Sequence, residues 1–286
     1  MSGPLSSAAI ASAFEAACLA ELDALKPGNV HRYGEGHGMS VADFETSARV
    51  AAPYLAEPDS SVGLRICHAI EATARAVGHN TNLGIVLLCA PLASAALASG
   101  GGNLRKRLAN VLETLTVTDA KESYAAIRLA KAGGLGIVEK HDLQSEPKVT
   151  LLEAMREAEG HDRIAWNYTH EFADIFATGI PRLIQGRTRY GSHEWVVTDL
   201  YLSLLAAIPD TLITRKFGVK AAKQVTENAY KTLKAFVEAE TAEARVDALL
   251  TFDKALKDRG LNPGTTADLT VATLFASSLQ ATEIRL

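Results

Sequence analysis

Between Leu83 and Gly102 the chain reads LGIVLLCAPLASAALASGGG, twenty residues without a single charge. Such a segment must be hidden from water, either across a bilayer or inside a protein core. A spanning helix needs about 20 consecutive, mostly apolar residues. Here Pro91, Ser94, Ser99 and a glycine run interrupt the stretch, and no second span accompanies it. The segment therefore reads as a helix buried on all sides, which requires a large helical domain around it. No membrane partner is expected.

Composition supports that reading. The chain has 286 residues, 48% of them hydrophobic and 22% charged, so it can bury enough apolar surface to offset the entropy of ordering. The apolar fraction is dominated by Ala and Leu, the residues most easily placed in helices, and aromatics make up only 6%. A net charge of −4 argues against a nucleic-acid surface, which carries a basic excess. Cys18, Cys67 and Cys89 are odd in number and widely spaced, which suits free thiols in a reducing compartment rather than disulfides or a zinc site. With no basic-then-apolar leader at the N-terminus, the expected location is the cytoplasm.

Punctuation along the chain defines the helices. Ser6 or Ser7 caps a first helix with a stripe of Ile10, Phe14, Cys18, Leu22 and Leu25, ended by Lys26-Pro27-Gly28. The polar, glycine-rich run 28–38 is a loop, and Ser40 with Asp43 forms a capping-box pattern that opens a second helix. A third helix spans Val62–Val77 and stops at Gly78; the uncharged fourth follows. Further helices are predicted over 104–115, 119–132, 151–159, 163–177, 193–207, 219–239, 243–259 and 267–281. Apolar alternation joined by a hairpin turn is absent. The fold expected is all-α: one domain over 1–286, a multi-helix bundle with a cleft lined by inter-helix loops. Close packing of Ala-rich helices also makes a homodimer an expected assembly.

Polar residues gather at four helix junctions, where helix ends leave backbone groups unsatisfied. Lys26, Gly28 and Asn29, with His31, Arg32 and His37, combine phosphate-seeking cations and a close-approach glycine, or simply a basic helix C-terminus. Asn80, Thr81 and Asn82 cap the uncharged helix or leave N–H groups for an anion. Glu71 lies on the helix before them. Asp210, Arg215 and Lys216 supply an acid and two cations, as a nucleotide–metal site requires, or an ordinary cap and its partners. Gly264, Thr265, Thr266 and Asp268 form a tight turn and the capped start of the last helix. Capping explains each junction taken alone.

Taken in order, these junctions resemble the triphosphoribosyl-dephospho-CoA synthases. That family reads KPGLVD, GAHxDM, NTHKG, EDTNLxxR(G)G and LSPGGSADLL. The matching stretches here are Lys26-Pro27-Gly28-Asn29-Val30 with Gly36-His37-Gly38-Met39, then Asn80-Thr81-Asn82-Leu83-Gly84, then Pro209-Asp210-Thr211-Leu212-Ile213 with Arg215, Lys216 and Gly218. Phe252-Asp253 and Leu256, followed by Leu261-Asn262-Pro263-Gly264-Thr265-Thr266-Ala267-Asp268-Leu269, complete the set. Residues 100 to 200 match only loosely. Asn82-Leu83 stands where the family has His-Lys, Gly38 where it has Asp, and Gly133-Gly134-Leu135-Gly136-Ile137 lacks the Arg and Glu of the family's GARGE stretch. These departures remove cations and acids, so they bear on the substrate more than on the scaffold.

The resemblance implies an all-helical transferase using ATP and 3′-dephospho-CoA, in which a ribose 2′-hydroxyl attacks C1′ of the ATP ribose and displaces adenine. It implies a Mg²⁺ ion with the triphosphate. Glu71 and Asp210 are then the expected catalytic acids, and Asp210 and Asp268 the expected metal ligands. Lys26, Gly28, Asn29, His37, Asn80, Thr81, Asn82, Arg215, Lys216, Gly264, Thr265 and Thr266 are the expected substrate contacts. A transfer or condensation step in methanopterin-type one-carbon cofactor biosynthesis is an alternative. A helical protein that binds a phosphorylated ligand or a protein without turnover is another, because the sequence has no GxxxxGK[ST], HExxH or GxSxG motif to fix an enzyme class.

Overall fold

The computed structural model describes residues 5–99, 101–130 and 146–285. Its first helices are α1 (Ser7–Asp23), α2 (Val41–Leu55), α3 (Val62–Val77), α4 (Leu83–Leu97), α5 (Leu104–Glu113) and α6 (Val117–Leu129). Next come α7 (Leu151–Ala158), α8 (Arg163–Thr169), a π-helical turn (Asp174–Gly179), α9 (Ile180–Arg189) and α10 (His193–Ala207). The last four are α11 (Thr211–Phe217), α12 (Val219–Glu238), α13 (Ala242–Lys257) and α14 (Gly264–Arg285). Among the described residues there is no strand, only the isolated bridges His31–Gly34 and Gly36–Met39 in the glycine-rich loop. The fold is all-α, as the sequence implies. The Gly133-Gly134-Leu135-Gly136-Ile137 stretch and the predicted end of α6 at Ala132 lie outside the described residues.

Capping chemistry sets most boundaries. Ser6 accepts from the Ala9 N–H, and reciprocal capping boxes join Ser40 with Asp43, Thr116 with Asp119 and Thr150 with Glu153. Gly78, at φ 82°, closes α3 in the left-handed conformation that glycine adopts without strain. Two segments depart from the periodicity. The predicted helix over 163–177 breaks after Thr169, because Glu171 and Phe172 have positive φ and the chain restarts as a π-turn. The polar run after Pro209 folds as α11 rather than as a loop. The last helix starts at Gly264, so Thr265 and Thr266 lie in its first turn instead of capping it.

α4 lies in the core: Val86, Leu88, Cys89, Ala90, Leu92, Ala93 and Ala95 are fully buried. No single helix among the described residues is long and apolar enough to cross a membrane. One contiguous apolar core runs from Leu5 to Leu279. α14 packs against α1, α4, α10 and the π-turn, and is buried over most of its length. Its side is narrow enough for the π-turn to touch it, since a Cβ on Gly179 would lie 2.4 Å from Thr273 Oγ1.

Pro91 is tolerated inside α4 for a specific reason. Proline has no N–H, so the Leu87 carbonyl four residues earlier loses its helical donor. The Tyr168 hydroxyl, on α8, donates to that carbonyl at 2.6 Å. Both groups are buried, so the bond cannot be replaced by water. Tyr168→Phe should lower stability in urea unfolding by about 1–3 kcal/mol, the cost of a buried unpaired carbonyl, with helix content by circular dichroism unchanged.

Candidate functional site

A cavity of about 1160 Å³ opens between the N-terminal ends of α4, α8 and α14, the short α11, and the faces of α3, α6 and α7. One side is apolar, built from Ile70, Ile127, Leu151, Ala154, Met155 and Ile164. The other side is polar and carries Glu21, Asn29, Asn80–Asn82, Asp162, Arg215, Lys216, Asn262, Thr265 and Asp268. Inter-helix loops thus form the smaller part of the wall; helix residues, apolar and polar, form the rest.

Asp210 does not line this cavity. It is buried, and its Oδ1 accepts the Leu212 and Ile213 N–H groups at 2.9 and 3.1 Å, capping α11. Its Oδ2 accepts the N–H and hydroxyl of Thr266 at 2.8 and 2.9 Å, in the first turn of α14. One carboxylate therefore caps two helices, and all four bonds are internal. Burial pushes the Asp210 carboxyl up, and the Thr266, Ile213 and Leu212 donors offset part of that rise. Its lone pairs are committed to the fold, so the acid and metal roles expected for it have no free oxygen here.

Glu71 is also outside the cavity wall. It is half-buried on α3, 3.6 Å from Arg75 and within reach of the Cys67 thiol. Lys26 is buried and ion-paired with Glu21, with Asn29 Oδ1 at 3.3 Å, so its charge is met from inside. Burial raises Glu21 and lowers Lys26, and each group's attraction for the other opposes that shift. Gly28, at φ 82°, donates its N–H to Asp253 at 2.8 Å, and a side chain there would strike Leu256 and Pro263. His37 Nε2 sits 2.8 Å from the Gly28 carbonyl, away from the cavity. The Lys-Pro-Gly loop is thus clamped to α13, and of its expected contacts only Asn29 reaches the cavity, bonded to Asn262 at 2.8 Å.

The remaining predicted contacts converge. Asn80 accepts the Leu83 N–H at 3.1 Å and is the side-chain cap of α4; the Asn82 side chain accepts no such N–H. Asn82 instead ties one edge of its amide to Thr73 at 3.0 Å, and its other edge, buried on the cavity wall, has no partner. Thr81 is held by Ser47, and Thr265 by Thr211 and the Leu212 N–H. Gly264 is forced by packing, since a Cβ would lie 2.6 Å from Leu212. Thr266 belongs to the Asp210 cap. Arg215 reaches Asp162 at 3.2 Å while its buried Nε has no acceptor, and Lys216 is exposed at the rim.

Asp268 is the acid that faces the space. It is half-buried on α14, and burial with the nearby charges of Asp210, Glu21 and Asp162 pushes its carboxyl well up, against a lowering pull from Arg215. Sequence periodicity did not single out Glu21, Asp162 or Asn262: Glu21 falls on the apolar stripe of α1, and Asp162 looks like a plain cap. Asp162 does cap α8, through Ile164 and Ala165, but its second oxygen also holds Arg215 at the cavity. Among the described residues no group of three or more His, Cys, Asp or Glu is placed to hold a metal ion. Magnesium commonly takes only one or two protein carboxylates and completes its shell with substrate phosphates and water; Asp268 is the wall acid open to such an ion, whereas Glu21 is closed by Lys26.

A family model for ATP:dephospho-CoA triphosphoribosyl transferases (CitG) matches residues 7–285. No curated protein matches the chain. Among solved structures, a protein from Archaeoglobus fulgidus named as a triphosphoribosyl-dephospho-CoA synthase is 28% identical, with a TM-score of 0.64. The alignment covers 81% of this chain and 96% of the archaeal one.

The raised Asp268 carboxyl has a consequence for stability. A carboxyl whose folded pKa exceeds its unfolded value contributes stability at low pH and loses it as pH rises through the folded pKa. Asp268→Asn, which removes that charge, should raise the melting temperature at pH 8 by a few degrees, and the gain should vanish near pH 4.

Proposed function

Because this chain belongs to the ATP:dephospho-CoA triphosphoribosyl transferase family, a family of enzymes, we propose that its cavity joins the 5-triphosphoribose of ATP to 3′-dephospho-CoA and releases adenine. The observation that carries the assignment of the site is the two-sided wall. A cavity of about 1160 Å³ combines apolar side chains from α3, α6 and α7 with a carboxylate that has no hydrogen-bond partner, a guanidinium and an ammonium. Pockets for one small ligand are commonly about 300–1,000 Å³, so this volume suits two substrates held together.

The reaction forms a bond from the attacking ribose oxygen to C1′ and breaks the bond from C1′ to adenine. Adenine departs with the electron pair of the broken bond and is released neutral by taking up a proton. Positive charge builds on the sugar meanwhile, and the attacking hydroxyl's proton must be accepted. Asp268, which faces the cavity without a hydrogen-bond partner, takes that proton; burial and the neighbouring acids push its carboxyl up, the direction that makes it a stronger base. Arg215, whose Nε lacks an acceptor, and Lys216 at the rim receive phosphate oxygens. The free edge of the Asn82 amide and the Asn29–Asn262 pair orient polar groups of the substrates. The apolar face of α3, α6 and α7 takes the less polar part of a substrate and excludes water. A Mg²⁺ ion carried on the triphosphate would be held chiefly by phosphate oxygens and water, with Asp268 the cavity acid open to it, and would offset phosphate charge.

The purified protein given ATP, Mg²⁺ and dephospho-CoA should release adenine, followed by chromatography, only when all three are present. Binding of both substrates without adenine release overturns the reading. Asp268→Asn should lower kcat by about 10²–10⁴-fold, the usual range for a lost general base, while Glu71→Gln should leave it within a few-fold of the parent.

A further inference from the structure

Asp268 rests on a surface that only glycine provides. Gly84 is the second residue of α4, facing the cavity. A Cβ built on Gly84 would lie 2.0 Å from Asp268 Oδ2, 2.4 Å from its Cγ and 2.9 Å from Oδ1. These three nearest atoms all belong to the Asp268 carboxylate, so that carboxylate is what an added methyl would meet first. Real Cβ atoms are essentially never found under 3.0 Å from such neighbours. The carboxylate therefore packs against the first turn of α4 with Oδ2 nearest, where a missing side chain makes its seat.

Helix energetics alone would not put glycine there. In a helix interior Gly is worse than Ala because it has more backbone freedom to lose. Gly84 has an ordinary negative φ, so no left-handed turn demands it. The first turn of α4 also presents N–H groups without intrahelical acceptors, and Asn80 occupies only that of Leu83. An anion seated there faces the positive end of the helix dipole.

We propose that Gly84 is a positioning residue for the transferase reaction, holding the Asp268 carboxylate against the α4 N-terminus and aimed into the cavity. The proposal rests on the role given to Asp268 above. An alanine at 84 forces the carboxylate to swing off its seat, while the pocket that binds ATP keeps its shape.

The test uses Gly84→Ala, Asp268→Ala and the double variant, each measured for adenine release and for thermal unfolding. Gly84→Ala should lower kcat by about 100-fold, the scale of a 1 Å misplacement, with KM for ATP nearly unchanged. The double variant should match Asp268→Ala in kcat, because Gly84 acts only through the carboxylate. It should also melt no lower than Asp268→Ala, because removing the carboxylate frees the space the new methyl needs. Wild-type kcat in Gly84→Ala overturns the proposal, as does a further fall in the double variant's kcat or melting temperature below those of Asp268→Ala. If Gly84→Ala fails to fold, the melting of the double variant against Asp268→Ala decides. If the parent protein releases no adenine, the assigned reaction fails instead, and the same melting comparison still decides whether Gly84 seats Asp268.

Discussion

The arrangement of the cavity depends on one buried carboxylate. Asp210 accepts two N–H groups from α11 and an N–H and a hydroxyl from α14, segments more than fifty residues apart in sequence. Helix N-termini carry unsatisfied donors and partial positive charge, and two of them brought together repel unless an anion lies between. A single aspartate removes the repulsion and fixes the distance. Thr265 and Asp268 project from the first turns of α14, and Arg215 and Lys216 from the last turn of the short α11; together they make much of the polar wall. Asp210 thus acts on the site through geometry, by holding two helices that carry the cavity's charged groups.

A second clamp works on the opposite side. The Lys-Pro-Gly turn gives up its backbone groups to α10 and α13: Thr198 donates to the Leu25 carbonyl, Tyr201 to that of Pro27, and the Gly28 N–H is accepted by Asp253. Burial alone would raise the Asp253 carboxyl, but hydrogen bonds from His31, the Gly28 N–H and Lys257 hold it below the usual range. Lys26, enclosed by this turn, is neutralised by Glu21 rather than left for a ligand. A residue that looks like a phosphate cation is in fact part of the wall's support, and Glu21 on the cavity side is its visible end.

Much of the fold is legible because capping and periodicity are local. Ser40 with Asp43, Gly78 after Val77, and the apolar run of α4 need only their immediate neighbours to be read. The break after Thr169 and the short α11 were not legible. Residues 163–177 carry acceptable helical periodicity, and nothing local shows that Asp174 will pair with Arg163 at 2.7 Å and Asn167 at 2.8 Å, knotting the chain into a turn. At the site, Asp268, Arg215 and Asn82 were legible as polar residues at helix junctions. Glu71 was read into the site from its polar neighbourhood, yet its helix turns it towards Arg75. Glu21 was hidden by lying on an apolar stripe, since a pattern reading assigns that face to packing.

The sequence by itself determined the all-α architecture, the burial of α4 and the set of junctions where chemistry gathers. Those follow from side-chain propensity, capping and charge content within a few residues of each position. Only the tertiary structure decided which of the junction residues face the cavity and which are spent on the fold. Asp210 and Asp268 look alike in sequence, each an acid at the start of a helix. Asp210 meets four internal donors, whereas Asp268 meets a glycine surface and open space. That difference arises from contacts between segments far apart in the chain, where local pattern carries no information.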